Sequence, residues 1–140
     1  MAGSKSVSEK LGIKKDSRAI FINADEEALE ALDLTELEIA TRATGVFDYI
    51  HVFTTTQKDL DQQFTKLKKR LGATGMLWVS WPKAKQKERD LDIKSVIRIG
   101  YDNGLVESKS ISINETWSAL KFTHPKKGKT YNNSYGKLPS

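Results

Sequence analysis

Two histidines, scattered carboxylates and three tryptophans are the side chains with which this sequence could do chemistry. His51 lies inside the apolar run Val46 to Phe53, where an imidazole reads as a hydrogen-bonded core residue rather than a ligand or base. His124 stands before Pro125, at the end of the last apolar segment. Two histidines without a spacing motif make no zinc site. There is no cysteine, so a thiolate nucleophile, a cysteine metal site and a disulfide framework are excluded. Asp25, Glu26 and Glu27, like Asp59 and Asp61, fall where helices should begin, and the helix dipole accounts for acids there better than a glycosidase-type pair does. Ser80 sits between Val79 and Trp81 with no Gly-x-Ser-x-Gly elbow around it, and no P-loop occurs. No catalytic set, metal or cofactor is therefore assigned.

The elements that must position these residues alternate in period. Arg18 to Asn23 reads as a short buried strand, and Asp25 to Leu32 as a helix with Ala28, Leu29 and Leu32 on one face. Glu36 to Arg42 is a weaker strand and Val46 to Phe53 a stronger one. Thr56 to Leu71 is the clearest helix, with Leu60, Phe64, Leu67 and Leu71 in one stripe and Gly72 to close it. Gly75 to Ser80 is a strand stopped by Pro82. A charged connection, Lys83 to Arg89, leads to a helix from about Asp90 to Asn103, closed by Asn103-Gly104. Leu105 to Ile113 and Trp117 to Thr123, joined by a short turn, form an antiparallel hairpin. Strands alternating with helices predict a three-layer, Rossmann-like α/β fold: a mostly parallel sheet, helices on both faces, and this hairpin at its C-terminal edge.

A chain of 140 residues suits one domain. Residues 1–10 read as a flexible head, 11–124 as the α/β domain, and 125–140 as a basic, disordered tail. The formal charge of +5 belongs to the ends, because the tail carries Lys126, Lys127, Lys129 and Lys137 and no acid. The domain itself is close to neutral. Nucleic acid is therefore not an expected partner, apart from weak, salt-dependent contact through the tail. No secretory signal is evident and no apolar run approaches the roughly 18 residues of a membrane helix. The expected location is cytoplasmic, with no membrane partner.

Two resemblances add to this reading. Phe47-Asp48-Tyr49-Ile50, the helix after it, and Leu71-Gly72-x-x-Gly75-Met76-Leu77 leading into a strand are similar to the second half of a class I methyltransferase. Lys10-Leu11-Gly12-Ile13, Trp78-Val79-Ser80-Trp81-Pro82-Lys83 and Glu115-Thr116-Trp117-Ser118-x-Leu120-Lys121-Phe122 more closely resemble an uncharacterised bacterial family, domain of unknown function 3052, over residues 8–125. That family implies a fold and a place for a site, not a reaction. The sequence departs from the methyltransferase pattern at the cofactor. A dinucleotide or adenosylmethionine site needs glycines after the first strand, where this chain has Asn23-Ala24-Asp25-Glu26-Glu27. The acid that holds the ribose hydroxyls at the end of the second strand is replaced by Ala40-Thr41-Arg42-Ala43.

In an open parallel sheet, ligands bind outside the carboxyl ends of the strands. Those ends bring Asn23, Thr54, Ser80, Trp81, Lys83, Glu115 and Trp117 to one rim, which is the candidate ligand site. The reading is a non-catalytic binding or interaction module on a degenerate methyltransferase-like scaffold. The alternative is an enzyme or sensor that takes a small anionic ligand at the same rim, through Lys83 and the start of the helix at Asp90.

Overall fold

The computed structural model describes residues 7–32, 37–83, 90–131 and 133–139. Its elements run α1 (Val7–Leu11), β1 (Arg18–Ile22), α2 (Glu26–Leu32), β2 (Glu38–Ile39), β3 (Phe47–Phe53), α3 (Gln57–Leu67), β4 (Leu71–Pro82), α4 (Ile93–Asp102), β5 (Val106–Ser112) and β6 (Trp117–Thr123). Among the described residues the six strands form one sheet in the order β2-β1-β3-β4-β6-β5. β2, β1, β3 and β4 run parallel to one another, whereas β6 is antiparallel to both β4 and β5. The expected α/β class, the mostly parallel sheet and the closing hairpin are all present. The hairpin is inserted with β6 inside, so the sheet's edge is β5, and β5 runs parallel to β4. No helix among the described residues is long and apolar enough to cross a membrane.

Period-2 alternation divides the central strands between two cores. Ala19, Tyr49, Phe53, Trp78, Ile113 and Ala119 face α1 and α2 and meet Leu11, Ala28 and Leu32. Ile20, Ile50, Val52, Leu77, Val79 and Phe122 face α3 and α4 and meet Leu60, Phe64, Val96 and Ile99. In the second core α4 sits close on β6. A Cβ on Gly100 of α4 would lie 2.1 Å from Cε1 of Phe122, so this glycine lets the helix close on β6. Phe122 then meets Phe64 edge to face at 5.1 Å between ring centroids.

The glycines after α3 work differently from the sequence expectation. α3 gives way to a single 3-10 turn, Lys68–Arg70, and Lys68 caps it in the right-handed helical region, so Gly72 is not its terminator. Leu71 and Gly72 already belong to β4. The pairing of β4 with β3 jumps from Phe47↔Leu71 to Tyr49↔Met76, which loops out the segment holding Gly72 and Gly75. A Cβ at Gly75 would meet the Phe47 carbonyl oxygen at 3.0 Å. These glycines serve a bulge, not a helix cap. The helical stripe accordingly ends at Leu67.

The connections at the β2 side are thin. β2 is only two residues long, and the chain returns from its end to the start of β3 through residues 40–46, mostly exposed and without a helix. At the C-terminus the chain lies back on the domain: Tyr131 and Leu138 pack against the α3/α4 core, and Asn133 Nδ2 donates to Glu107 Oε1 at 2.8 Å.

Candidate functional site

The carboxyl ends of β1, β3 and β4 lie along one edge of the sheet, and the β5–β6 turn joins them. Pairing registers fix this: Ile22 is opposite Val52, Phe53 opposite Ser80, and Pro82 opposite Trp117. The rim contains all seven residues picked from sequence, at very different depths. Asn23, Lys83 and Glu115 are exposed and Trp117 is half-buried, whereas Thr54, Ser80 and Trp81 are buried. The rim is also long. Asn23 lies two strand spacings from Lys83, about 10 Å, and the β5–β6 turn lies one or two spacings further, about 15–19 Å from Asn23. A small ligand reaches one end of the rim or the other.

The buried members support the edge. Trp81 points into the α3/α4 core. Thr54 donates its backbone N–H to the Ser80 carbonyl at 3.0 Å and its hydroxyl to Asp59 Oδ2 at 2.6 Å, which ties β3 to β4 and to the first turn of α3. At the other end, Asn114 Oδ1 accepts the backbone N–H groups of Thr116 and Trp117, both at 2.9 Å, and shapes the β5–β6 turn. The Lys83 N–H donates to the Thr116 carbonyl at 2.8 Å, and Lys83 Nζ donates to Ser112 Oγ. Trp117 meets Phe53 edge to face at 5.1 Å. Lys83 and Trp117 are thus held against the turn that presents Glu115.

Directly beneath the rim runs a buried polar row that the sequence reading only partly found. Tyr49, His51 and Phe53 share one face of β3. Tyr49 Oη is 2.8 Å from His51 Nδ1, and His51 Nε2 is 2.6 Å from Ser80 Oγ. All three polar residues are buried, and His51 stacks on Phe53 at 4.5 Å. Burial pushes the His51 pKa down to about 3 and raises that of Tyr49. The imidazole is therefore neutral at pH 7, with one ring nitrogen donating and the other accepting, and the two hydroxyls complete both bonds. His51 as a hydrogen-bonded core residue follows from its apolar strand. Tyr49, two residues away on the same face, was the available and unused signal for one of its partners.

Two helices begin near this rim, and the chain caps both with its own carboxylates. Asp90 Oδ1 accepts the Gln57 N–H of α3 at 2.7 Å. Asp92 Oδ1 accepts the Ser95 N–H of α4 at 2.9 Å, and Ser95 Oγ accepts the Asp92 N–H at 3.0 Å, a complete capping box. α4 starts at Ile93 rather than at Asp90. Most of the charged connection after Lys83 falls at residues 84–89, outside the described residues.

Topology and edge together define a Rossmann-like fold of the kind used by class I S-adenosylmethionine-dependent methyltransferases. Among solved structures, CalO1, a methyltransferase in calicheamicin biosynthesis, superposes with a TM-score of 0.61 at 7% identity over 86% of this chain and 52% of its own. This chain therefore spans about half the length of CalO1. A TehB-like SAM-dependent methyltransferase from Corynebacterium glutamicum matches with a TM-score of 0.55 at 10% identity, over 89% of this chain and 91% of that one. Magnesium protoporphyrin IX methyltransferase from Synechocystis, solved with bound SAM, matches with a TM-score of 0.56 at 11% identity, over 85% and 74%. No protein-family profile matches the chain. No curated protein matches it either.

The residues do not fit the cofactor those proteins use. At the end of β1, the backbone turns through Asn23 in the left-handed region, with φ of 61°. Ala24 and Asp25 follow, so no glycine opens the turn for close approach of a ligand. The Asp25 carboxylate is already engaged, because its Oδ1 accepts the Ala28 N–H at 2.7 Å. Past β2, residues 40–46 hold no carboxylate to take a ribose.

Proposed function

We propose that this chain is a non-catalytic binding module built on a methyltransferase-like scaffold, with its ligand or partner received at the strand-end rim. The observation that carries this reading is the β1–α2 turn. The sheet order and the open edge are kept, while the turn that would cradle the cofactor is Asn23-Ala24-Asp25, capped onto its own helix. Asn23, Lys83, Glu115 and Trp117 are the contact residues in this account, and Thr54, Ser80 and Trp81 form the floor beneath them. The two segments that most resemble domain of unknown function 3052 both reach this rim.

The alternative, an enzyme or sensor for a small anionic ligand, draws on Lys83. It is the weaker reading because the helix starts that could add to Lys83 are capped by Asp90 and Asp92. Thermal denaturation with S-adenosylmethionine and S-adenosylhomocysteine tests the first reading. A ligand present at 100 times its Kd stabilises the fold by about 2.7 kcal/mol, which moves the melting temperature by several degrees. The expected shift at 1 mM is none. A shift of several degrees, lost in Asn23→Ala, overturns the proposal.

A further inference from the structure

The path from β2 to β3 leaves an open groove on the α3/α4 side of the sheet. β2 and β3 flank β1 and run parallel to it, so their connection must recross the sheet from carboxyl end to amino end. Such crossovers usually take a dozen or more residues and a helix. Here residues 40–46 do it as an irregular strap without a helix, with Thr41, Ala43, Thr44 and Gly45 among its small residues. Arg70 Nη1 and Arg18 Nη1 pin it by donating to the carbonyls of Gly45 and Val46 at 3.3 and 3.0 Å. Among the described residues no helix fills the space between the strap and α3, and a cavity of about 590 Å³ remains.

Its lining has two characters. Ile22 of β1, Leu67 of α3 and Ala43 of the strap make an apolar floor. Lys66, Lys69 and Arg70 stand along one wall, Gln63 is the remaining polar residue, and among the described residues no carboxylate lines it. Among the described residues none of the three cations pairs with an acid, and both lysines are exposed. Ligand pockets commonly measure about 300–1,000 Å³ and combine apolar walls with a few polar groups. An uncompensated cationic wall above an apolar floor complements a molecule with the same two parts.

We propose that this groove is a second binding site, independent of the rim, for a free organic carboxylate with a compact apolar body. The body rests on Ile22, Leu67 and Ala43, and the carboxylate meets Lys66, Lys69 and Arg70. The test is an amide chemical-shift titration of the whole chain with naphthalene-1-acetate, against the uncharged naphthalene-1-acetamide. The acid is expected to bind saturably, with shifts centred on Ile22, Ala43, Gln63 and Leu67, and at least tenfold more tightly than the amide. Lys66→Gln with Lys69→Gln, both at exposed positions, should weaken the acid at least fivefold and leave the amide unchanged. Ala43→Phe should block both. Equal affinity for acid and amide, shifts centred elsewhere, insensitivity to these variants, or no binding of the acid at all each overturns the proposal. Because the groove lacks rim residues, a result here leaves the proposed function standing or falling on its own test.

Discussion

The two ends of the sheet have been built to different standards. On the β4-β6-β5 side, the strands are seven residues or longer, α4 begins with a capping box, and Gly100 lets that helix press on Phe122. On the β2-β1 side, the edge strand is two residues long, the crossover is a strap, and Ile39 is 52% exposed. The β2-β1 side is also the one whose first turn, Asn23-Ala24-Asp25, has no glycine. Stability should therefore be concentrated in the β4-β6-β5 half.

Four changes break or sharpen this contrast, in decreasing order of effect. Gly100→Ala forces a methyl group into the Phe122 ring, and overpacking of this kind costs about 3 kcal/mol. A urea denaturation midpoint that barely moves would show that α4 does not seat on β6 as described. Acid comes next, acting at His51 in the strand between the halves. The unfolded imidazole titrates near 6.5 and the folded one near 3, so below pH 6.5 only the unfolded chain takes up this proton. Its contribution is present above pH 6.5 and is lost progressively as the pH falls below it. His51→Gln should flatten the stability profile between pH 6.5 and 4.5, and an unchanged slope would mean that the neutral buried row is wrong. Asp92→Ala removes the α4 cap and should cost about 1 kcal/mol in the same denaturation assay. Ile39→Ser, at the exposed edge, should change stability by less than about 0.5 kcal/mol, and a larger loss would show that the β2 end is not the slack side.

Where local pattern and tertiary contact agree, the fold was legible in the sequence. β6 has the bounds expected of it, and α4 closes at Asn103 and Gly104, the latter with φ of 81°. Leu60, Phe64 and Leu67 form the buried stripe of α3. The reading fails where a tertiary register decides. Leu71 continues the 3.6-residue period of α3, so nothing local distinguishes a helix ended by Gly72 from a strand bulged around it; only the pairing with β3 does. The tail illustrates the same limit. Its polar composition hides Tyr131 and Leu138, which pack against the α3/α4 core. For the candidate site, topology gathers the seven residues at one edge, but depth depends on which face each side chain takes. Trp81 turns into the α3/α4 core, and Ser80, its neighbour, turns the other way toward His51.

The account depends on the β1–α2 turn being closed to the cofactor of its structural neighbours. Equilibrium dialysis of the whole chain against S-adenosylmethionine measures this directly. Free and retained ligand should stay equal at concentrations up to 1 mM. Saturable retention of one ligand per chain at micromolar concentration would contradict it, and would restore this domain to the cofactor-binding members of its fold.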